Sequence, residues 1–304
     1  MAIRIGCAAL YPITRYGFPY SFDDYLKAVA ELHSVGFDAC ELEINVDLDL
    51  EEYIARKAEV LETLRRNEMT LSAIIGVVNG GFSQNVQTAE RYLELYRRYC
   101  GFAREVGCDN VCICAYMPPE IEGVAGTEAY RGSPPLQVRV PTGFEWESFW
   151  ANAVHRLGQM ARIAAGHGQR LIIENRVGDF VSTSDGVLKL IEDAGEPNVG
   201  CLLDLAHCHA TKEHFDLVIP KLKHRLAYVH LADNDGSFSY HLPAGRGNID
   251  FPAIFRSLLG VGFAGYANVD YGGVATDEIL KEVRRGREYF TSCLAAVETG
   301  MASR

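Results

Sequence analysis

The amino-acid sequence predicts a single (β/α)8 barrel, an α/β TIM-barrel fold that covers residues 1–304 as one domain. Short apolar runs alternate with longer amphipathic stretches, and eight of each can be counted. The runs are apolar along nearly their whole length, which is typical of parallel strands covered by helices. Eight such units favour closure of the sheet into a barrel, and a barrel of this kind takes roughly 250 residues as one domain.

The predicted strands alternate regularly with the predicted helices. The strands cover 2–9, 39–44, 70–78, 110–116, 170–175, 199–206, 226–232 and 265–271. The helices cover about 22–36, 50–67, 87–106, 146–167, 184–195, 213–223, 251–260 and 276–298. Ser21 and Thr183 precede two of the helices and are expected to cap them, because their hydroxyl oxygens can accept hydrogen bonds from the first turn. Gly36, Gly107 and Gly262 each follow a helix, where glycine supplies the left-handed residue that ends it.

The alternative fold is an open, doubly wound sheet. Such a sheet normally carries a glycine fingerprint directly after its first strand. Here the sequence YPIT at 11–14 follows the first strand instead, so the barrel is favoured and no nucleotide cofactor is expected.

One connection is much longer than the others. Residues 117–145 follow the fourth strand and contain five prolines and several glycines. A long loop at the end of a barrel strand is typical of a lid or a binding loop. A surface insertion or a contact between subunits is the alternative interpretation of this loop.

Composition and charge exclude several classes of protein. The net charge is −11 and basic residues form no block, which disfavours nucleic-acid and anionic-membrane surfaces. No apolar run approaches the roughly 18 residues that a membrane span needs. The nine cysteines are odd in number and scattered, so reduced thiols in a cytoplasmic protein are expected. Cys112 and Cys114 share one face of a predicted strand, where packing is favoured over a metal or redox role.

Ionisable residues stand near the carboxyl ends of the last four predicted strands. They are Glu174, Asp204, His230 and Asp270. The carboxyl ends of barrel strands build the active site, so these four side chains are expected to converge. Buried carboxylates are costly unless they are paired, protonated or bound to a cation. Three carboxylates and one imidazole predict a site for a divalent cation, Mn²⁺ or Mg²⁺, with Co²⁺ or Zn²⁺ possible because of the imidazole.

Each of these residues also has a purely structural interpretation. Asp204 could cap a following turn, and His230 could be a core histidine with its hydrogen bonds satisfied. Glu174 could pair with Arg176, and Asp270 could be one half of a salt bridge. Their occurrence at matching depth on four successive strands favours the metal site.

The second half of the chain resembles the xylose isomerase-like barrel superfamily. The motifs that carry the resemblance are IEN at 173–175, LDLAH at 203–207, VHLADNDG at 229–236 and HLPAGRGNIDF at 241–251. Members of this superfamily include sugar isomerases and epimerases, inosose dehydratases and metal-dependent apurinic endonucleases. The resemblance extends to the whole chain as a fold, but its specific motifs lie between residues 171 and 271.

The resemblance implies roles for the four strand-end residues and for one neighbour. All four would bind the metal, and Glu174 and Asp270 would flank the substrate as acid and base. His207 would contact substrate oxygens. The superfamily usually has glutamate where Asp270 stands, so the carboxylate here is one methylene shorter. A dimer or a tetramer is also implied.

Other residues are candidates for substrate contacts. His207 and His241 lie at or beyond strand ends, and Tyr116 and Asn79 follow the fourth and third strands. Ketose epimerases commonly carry a basic side chain soon after the histidine of strand seven. Here acidic and small residues follow His230, and the nearest basic candidate is Arg246.

The chemistry of such a centre leads to three reaction outcomes. A base beside a C–H bond and an electrophile on the neighbouring oxygen permit proton abstraction through a metal-stabilised enediolate. Returning the proton gives epimerisation or isomerisation of a sugar or a polyol-derived substrate, which is the leading prediction. Expelling a leaving group from the same enediolate gives a lyase, such as an inosose or keto-sugar dehydratase or a 3-keto-glycoside eliminase.

Two further classes are weaker alternatives. Apurinic endonucleases of this fold use extra histidines on strands three and four, whereas this chain has no histidine between His33 and His155. The acidic net charge also opposes DNA binding. A binding protein with a vestigial metal site would not need four ionisable groups so placed.

Overall fold

The computed structural model describes residues 3–127, 135 and 137–302, and it contains a closed parallel barrel of eight strands. Around the barrel the strands follow the order β1-β10-β9-β8-β7-β4-β3-β2, and β1 closes the sheet against β2. The predicted fold is therefore confirmed. The strands are β1 (Arg4–Cys7), β2 (Ala39–Asn45), β3 (Thr70–Val77), β4 (Asn110–Cys114), β5 (Glu122–Gly123), β6 (Val138–Arg139), β7 (Arg170–Glu174), β8 (Val199–Asp204), β9 (Leu226–Leu231) and β10 (Tyr266–Val269).

Helices connect successive barrel strands and cover the outside of the barrel. They are α1 (Leu10–Tyr16), α2 (Phe22–Ser34), α3 (Leu50–Ala55), α4 (Lys57–Arg66), α5 (Val86–Glu105), α6 (Trp146–Gly166), α7 (Ser184–Ala194), α8 (Leu205–Ala210), α9 (Phe215–Leu222), α10 (Phe251–Gly260) and α11 (Ile279–Ala302). Ser21 and Thr183 cap α2 and α7 as predicted, each accepting a hydrogen bond from a backbone N–H in the first turn. Gly36 and Gly107 end α2 and α5 with φ of 92° and 78°.

Two sequence predictions of helix extent were wrong near the amino terminus. The segment 50–67 is two helices rather than one, because Arg56 takes φ −106° and ψ 19° between α3 and α4. Its guanidinium there bridges Asp23, Glu52 and Glu59. Helix α1 was not predicted, although Pro12 lies in its first turn, where a missing backbone N–H removes no helical hydrogen bond.

The predicted strand 199–206 was too long. Strand β8 ends at Asp204, and Leu205 begins the short helix α8. The side chain of Asp204 caps this helix, since its Oδ1 accepts a hydrogen bond from the backbone N–H of His207 at 2.7 Å. The apolar run through Leu205 and Ala206 looked like strand because both residues are buried, as they are in the helix.

The long connection after β4 contains a small antiparallel ribbon. Strands β5 and β6 pair Glu122 with Arg139 and Gly123 with Val138. Residues 128–134 and 136 of the predicted lid lie outside the described residues. Its role as a lid, an insertion or a subunit contact stays a prediction.

The side chains inside the barrel follow the two-residue period of a strand. Ala73, Cys112, Ile172, Leu202 and Tyr228 belong to a separate apolar cluster of buried residues. The alternate residues of the same strands pack with the larger core against the helices. A residue two positions beyond an interior one therefore also faces inward. At the carboxyl end of the barrel, polar side chains occupy these inward-facing positions.

Two further observations bear on the sequence predictions. In the part of the chain that the structure describes, no helix is both long enough and apolar enough to cross a membrane. All nine cysteines are free thiols, and eight of them are buried.

Candidate active site

Four strand ends carry the predicted site residues to one level of the barrel. Glu174 is the last residue of β7 and Asp204 the last of β8, each two positions beyond an interior apolar residue. His230 stands directly opposite Asp204 in the pairing of β8 with β9. Asp270 follows the end of β10, and its backbone N–H donates to the carbonyl oxygen of Leu231. The sequence places these groups together because four adjacent parallel strands end side by side.

The imidazole of His230 lies among three carboxylates. Its Nδ1 is 3.4 Å from Glu174 Oε1, 3.5 Å from Asp204 Oδ2 and 3.6 Å from Asp270 Oδ2. All four residues are buried, and His230 Nδ1 has no hydrogen-bond partner among the described residues. One unpartnered imidazole nitrogen facing three carboxylate oxygens is a donor set that fits a divalent cation. We refer to these four residues as the carboxylate–imidazole centre.

Two more histidines lie at the edge of this centre. His241 Nε2 is 3.2 Å from Asp204 Oδ2 and 3.3 Å from Asp270 Oδ2. The rings of His241 and His207 meet edge to face with their centroids 4.9 Å apart. The Nδ1 of His207 accepts a hydrogen bond from the backbone N–H of Val177. Both histidines, predicted as substrate contacts, therefore lie against the centre.

The charged groups of the centre shift one another's pKa values. Burial acts to lower the pKa of His230, but the carboxylates of Glu41 and Asp270 outweigh it and hold that pKa well above its usual value. Burial also acts to lower the pKa of His241, and Asp204 reverses this and raises it to about 9. Without a cation, the neighbouring carboxylates thus favour the protonated form of both imidazoles.

The carboxylates respond in opposite directions. Burial raises the pKa of Asp270 to about 7, against the opposing charges of His230 and His241. Burial acts to raise the pKa of Glu174 as well, but its interaction with His230 outweighs burial and lowers that pKa. Two carboxyl groups whose pKa values are pushed apart are suited to different roles as acid and base.

Two further side chains touch the centre: Glu41, which was not predicted from the sequence, and Cys114, for which the sequence favoured packing over a metal or redox role. Glu41 Oε1 lies 2.9 Å from Nε2 of His230, on the side of the ring away from the three carboxylates. Cys114 donates its thiol hydrogen to Glu174 Oε2 at 3.0 Å. Both face inward, Glu41 from β2 and Cys114 from β4. Glu41 lies between the apolar residues Cys40 and Leu42, and this alternation is the signal that could have revealed it. Cys114 carries no such signal, because buried cysteines are common in protein cores.

A cavity of about 540 Å³ lies at the carboxyl end of the barrel, next to the ends of β3, β4 and β7, and the four residues of the centre are not part of its lining. Its walls include Asn79, Tyr116 and Arg176, together with apolar residues of the long connection. The guanidinium of Arg176 lies 5.4 Å from the ring centre of Tyr116 and pairs with Asp179 at 2.9 Å, rather than with Glu174. The volume falls in the usual range for a small-molecule site.

Arg246 is not among the residues that line the 540 Å³ cavity. Its guanidinium pairs with Glu282 of α11 at 3.0 Å, and its side chain is half exposed. Among the described residues, the basic side chain that lines the 540 Å³ cavity is Arg176. The predicted contact of Arg246 with substrate stays a prediction.

The fold and the centre together define a class of barrel protein with a buried carboxylate–histidine site at the carboxyl ends of its strands. A family model described as xylose isomerase-like TIM barrel matches residues 29–293. The chain belongs to this family, as the sequence motifs indicated.

Individual relatives are similar over different parts of the chain. An L-ribulose 3-epimerase of Mesorhizobium japonicum is 34% identical over 130 residues, which are 42% of this chain and 41% of that protein. An inosose dehydratase of Geobacillus thermodenitrificans is 24% identical over 261 residues, 80% of each chain. A solved structure of L-ribulose 3-epimerase superposes with a TM-score of 0.75 at 20% identity, covering 99% of this chain and 97% of that one. At this identity the superposition shows the fold alone.

Proposed function

We propose that this protein is a divalent-metal-dependent sugar isomerase or epimerase that abstracts a proton next to a carbonyl. The observation that carries the proposal is the unpartnered Nδ1 of His230, buried between the carboxylates of Glu174, Asp204 and Asp270. Similarity to an L-ribulose 3-epimerase and to an inosose dehydratase supports it.

Glu174, Asp204, His230 and Asp270 would hold the cation, with Mn²⁺ or Mg²⁺ preferred by their oxygen-rich donor set and Co²⁺ or Zn²⁺ compatible with the imidazole. When bound, such an ion polarises a substrate carbonyl and its neighbouring hydroxyl as a Lewis acid. Asp204 has a second task, because its other oxygen caps α8. No nucleotide cofactor is part of the proposal.

Glu174 and Asp270 are placed to move the proton. Their strands, β7 and β10, stand on either side of β8 and β9, so the two carboxylates flank the other two members of the centre. In the absence of a cation, His230 lowers the pKa of Glu174, whereas burial raises that of Asp270 to about 7, so the two carboxylates differ in basicity. Removal of a proton on one face of the carbon and return on the other gives epimerisation.

The remaining predicted residues would bind the substrate. His207 and His241 lie where hydroxyl groups of a sugar held at the centre can reach them, and Tyr116 and Asn79 line a cavity at the same end of the barrel. Arg246 belongs to this proposal only if its pairing with Glu282 opens. We propose a small sugar or polyol-derived substrate, a homodimer or homotetramer in the cytoplasm, and no nucleic-acid or membrane partner.

Elimination is the second candidate function. The similarity to inosose dehydratases extends over 80% of both chains, whereas the similarity to the ribulose epimerase covers less than half of either. A dehydratase or a keto-glycoside eliminase would use the same base and then expel a leaving group in place of reprotonation.

The experiment that tests the proposal follows hydrogen exchange. Metal-loaded protein is incubated in deuterium oxide with a panel of ketoses, inososes and 3-keto-glycosides, and the mixture is read by proton NMR. Deuterium entering a carbon beside a carbonyl, with every oxygen retained, supports isomerisation or epimerisation. Loss of water or an aglycone supports the lyase, and the absence of exchange across the panel with metal bound contradicts both for these substrates.

A further inference from the structure

A buried glutamate, Glu41, contacts the ring nitrogen of His230 that faces away from the three carboxylates of the centre. Glu41 projects into the barrel from β2 and is only 2% exposed. Its Oε1 lies 2.9 Å from His230 Nε2 and accepts a hydrogen bond from Asn268 Nδ2 at 2.8 Å. Its Oε2 accepts from the backbone N–H of Ala9 at 3.0 Å. Glu41 lies on the opposite side of the imidazole from the three carboxylates of the centre.

These three partners require a carboxylate at position 41. The backbone N–H of Ala9 and the amide of Asn268 are donors, and they approach different oxygens of Glu41. His230 Nε2 meets the same oxygen as Asn268, so it must donate as well. Among side chains of this length, only a carboxylate offers two acceptor atoms and no donor. Glutamine would point its NH₂ group at one of these donors.

We propose that Glu41 is a positioning residue, which orients the ring of His230 so that Nδ1 faces the metal. By accepting the Nε2–H, Glu41 fixes the ring so that the lone pair of Nδ1 faces Glu174, Asp204 and Asp270. The inference rests on the metal centre of the proposed function and adds a member to it. Acceptors on the outer nitrogen of metal-binding histidines orient the ring, and their loss typically weakens metal affinity 10–100-fold.

Neighbouring residues on the barrel floor hold Glu41 itself in place. The amide of Asn268 also donates to Ser72 Oγ at 3.0 Å, and Ser72 donates to the carbonyl oxygen of Cys40. Asn268 fits there because residue 6 is glycine, since a Cβ at Gly6 would lie 2.4 Å from its Oδ1. This buried network leaves the carboxylate of Glu41 little freedom to turn away from His230.

The test compares metal affinity in two buried variants of the full chain. In E41Q the affinity for Mn²⁺, measured by calorimetry on protein stripped with a chelator, should fall 10–100-fold. S72A is the matched control, because Ser72 lies in the same buried network and touches neither Glu41 nor His230 by hydrogen bond. S72A should lower the melting temperature and leave the Mn²⁺ affinity within about threefold of wild type.

The outcomes separate this inference from the proposed function. E41Q that binds Mn²⁺ as tightly as wild type overturns the positioning role and leaves the metal centre intact. Wild-type protein that binds no Mn²⁺ overturns both. If E41Q does not fold, long-range ¹H–¹⁵N spectra of wild type loaded with diamagnetic Mg²⁺ decide the matter. A strongly deshielded proton on Nε2 of His230 supports the inference, because it reports a hydrogen bond to the carboxylate of Glu41, whereas an Nε2 proton at the chemical shift of a free imidazole overturns the positioning role and leaves the metal centre intact.

Discussion

The thiol of Cys114 donates a hydrogen bond to the carboxylate of Glu174, with Sγ 3.0 Å from Oε2. The two residues are direct partners in the parallel pairing of β4 with β7, and both are buried. Glu174 Oε1 faces His230 Nδ1, so the thiol holds the opposite oxygen of the same carboxylate. The thiol thus holds one oxygen of the proposed base, while the other oxygen faces the centre.

This relationship predicts different effects for two substitutions of Cys114. Cys114→Ala leaves Glu174 Oε2 without its donor, which costs about 1–3 kcal/mol for a buried group, so kcat should fall about 5- to 150-fold. Cys114→Ser keeps an O–H donor and should stay within about threefold of wild type. Steady-state kinetics on the substrate found by the exchange experiment measure both. Equal kcat in the alanine variant and the wild type would remove Cys114 from this role.

The acid–base assignment predicts that Glu174→Gln and Asp270→Asn each lower turnover by at least about 100-fold, because each removes a group that transfers a proton. Both substitutions are close in shape, so circular dichroism should show an unchanged fold. Deuterium exchange at the substrate carbon is the sharper readout, since it reports proton abstraction without product formation. A variant that still exchanges at the wild-type rate would show that its carboxylate is not the base.

Asp204 has two separable tasks, and two substitutions should separate them. Asp204→Ala removes both the metal ligand and the cap of α8, so metal occupancy should fall and the free energy of unfolding should drop by about 1 kcal/mol. Asp204→Asn keeps an oxygen that can accept from the backbone N–H of His207, and it should lose metal with little loss of stability. Elemental analysis and chemical denaturation measure the two effects. Full occupancy in both variants would exclude Asp204 as a ligand.

Because His207 is buried, we predict that the free energy of unfolding of the metal-free protein depends on pH. Burial lowers its pKa to about 4 in the folded state, below its ordinary value of 6.5. The unfolded chain therefore binds the extra proton first, and the contribution of His207 to stability is complete above about pH 6.5 and is lost as pH falls toward 4. The loss is at most about 3 kcal/mol.

The His207→Gln variant isolates this contribution from those of the other titrating groups. Denaturation curves of wild type and variant, measured between pH 4 and 7, should differ by an amount that shrinks as the pH falls. A difference that is constant across this range would mean that His207 titrates as it does in an unfolded chain.

Much of the architecture could be predicted because one strong pattern repeats. Eight apolar runs, each followed by an amphipathic stretch, leave few alternatives to a covered parallel sheet, and the structure confirms the barrel. Exact ends were less predictable. The apolar run continues through Leu205, past the point where Asp204 caps a helix. The break between helices at Arg56 is not marked by a glycine or a proline.

The site could be predicted in part for a similar reason. Glu174, Asp204 and His230 lie on strands adjacent in both sequence and space, so their convergence follows from the order of the chain. Glu41 lies on β2 and meets His230 of β9 across the barrel interior, a contact that depends on the register of strands far apart in sequence. The polar partners of Arg246 and Arg176 depend on loop conformation, which periodicity does not encode.

The central claim is that Glu174, Asp204, His230 and Asp270 form one metal centre. Crystals of the protein soaked in Mn²⁺, with diffraction data collected at the manganese absorption edge, test it most directly. The account predicts one strong anomalous peak bounded by the three carboxylates and Nδ1 of His230. A well-ordered crystal with no peak there, or with manganese bound only elsewhere, would contradict it.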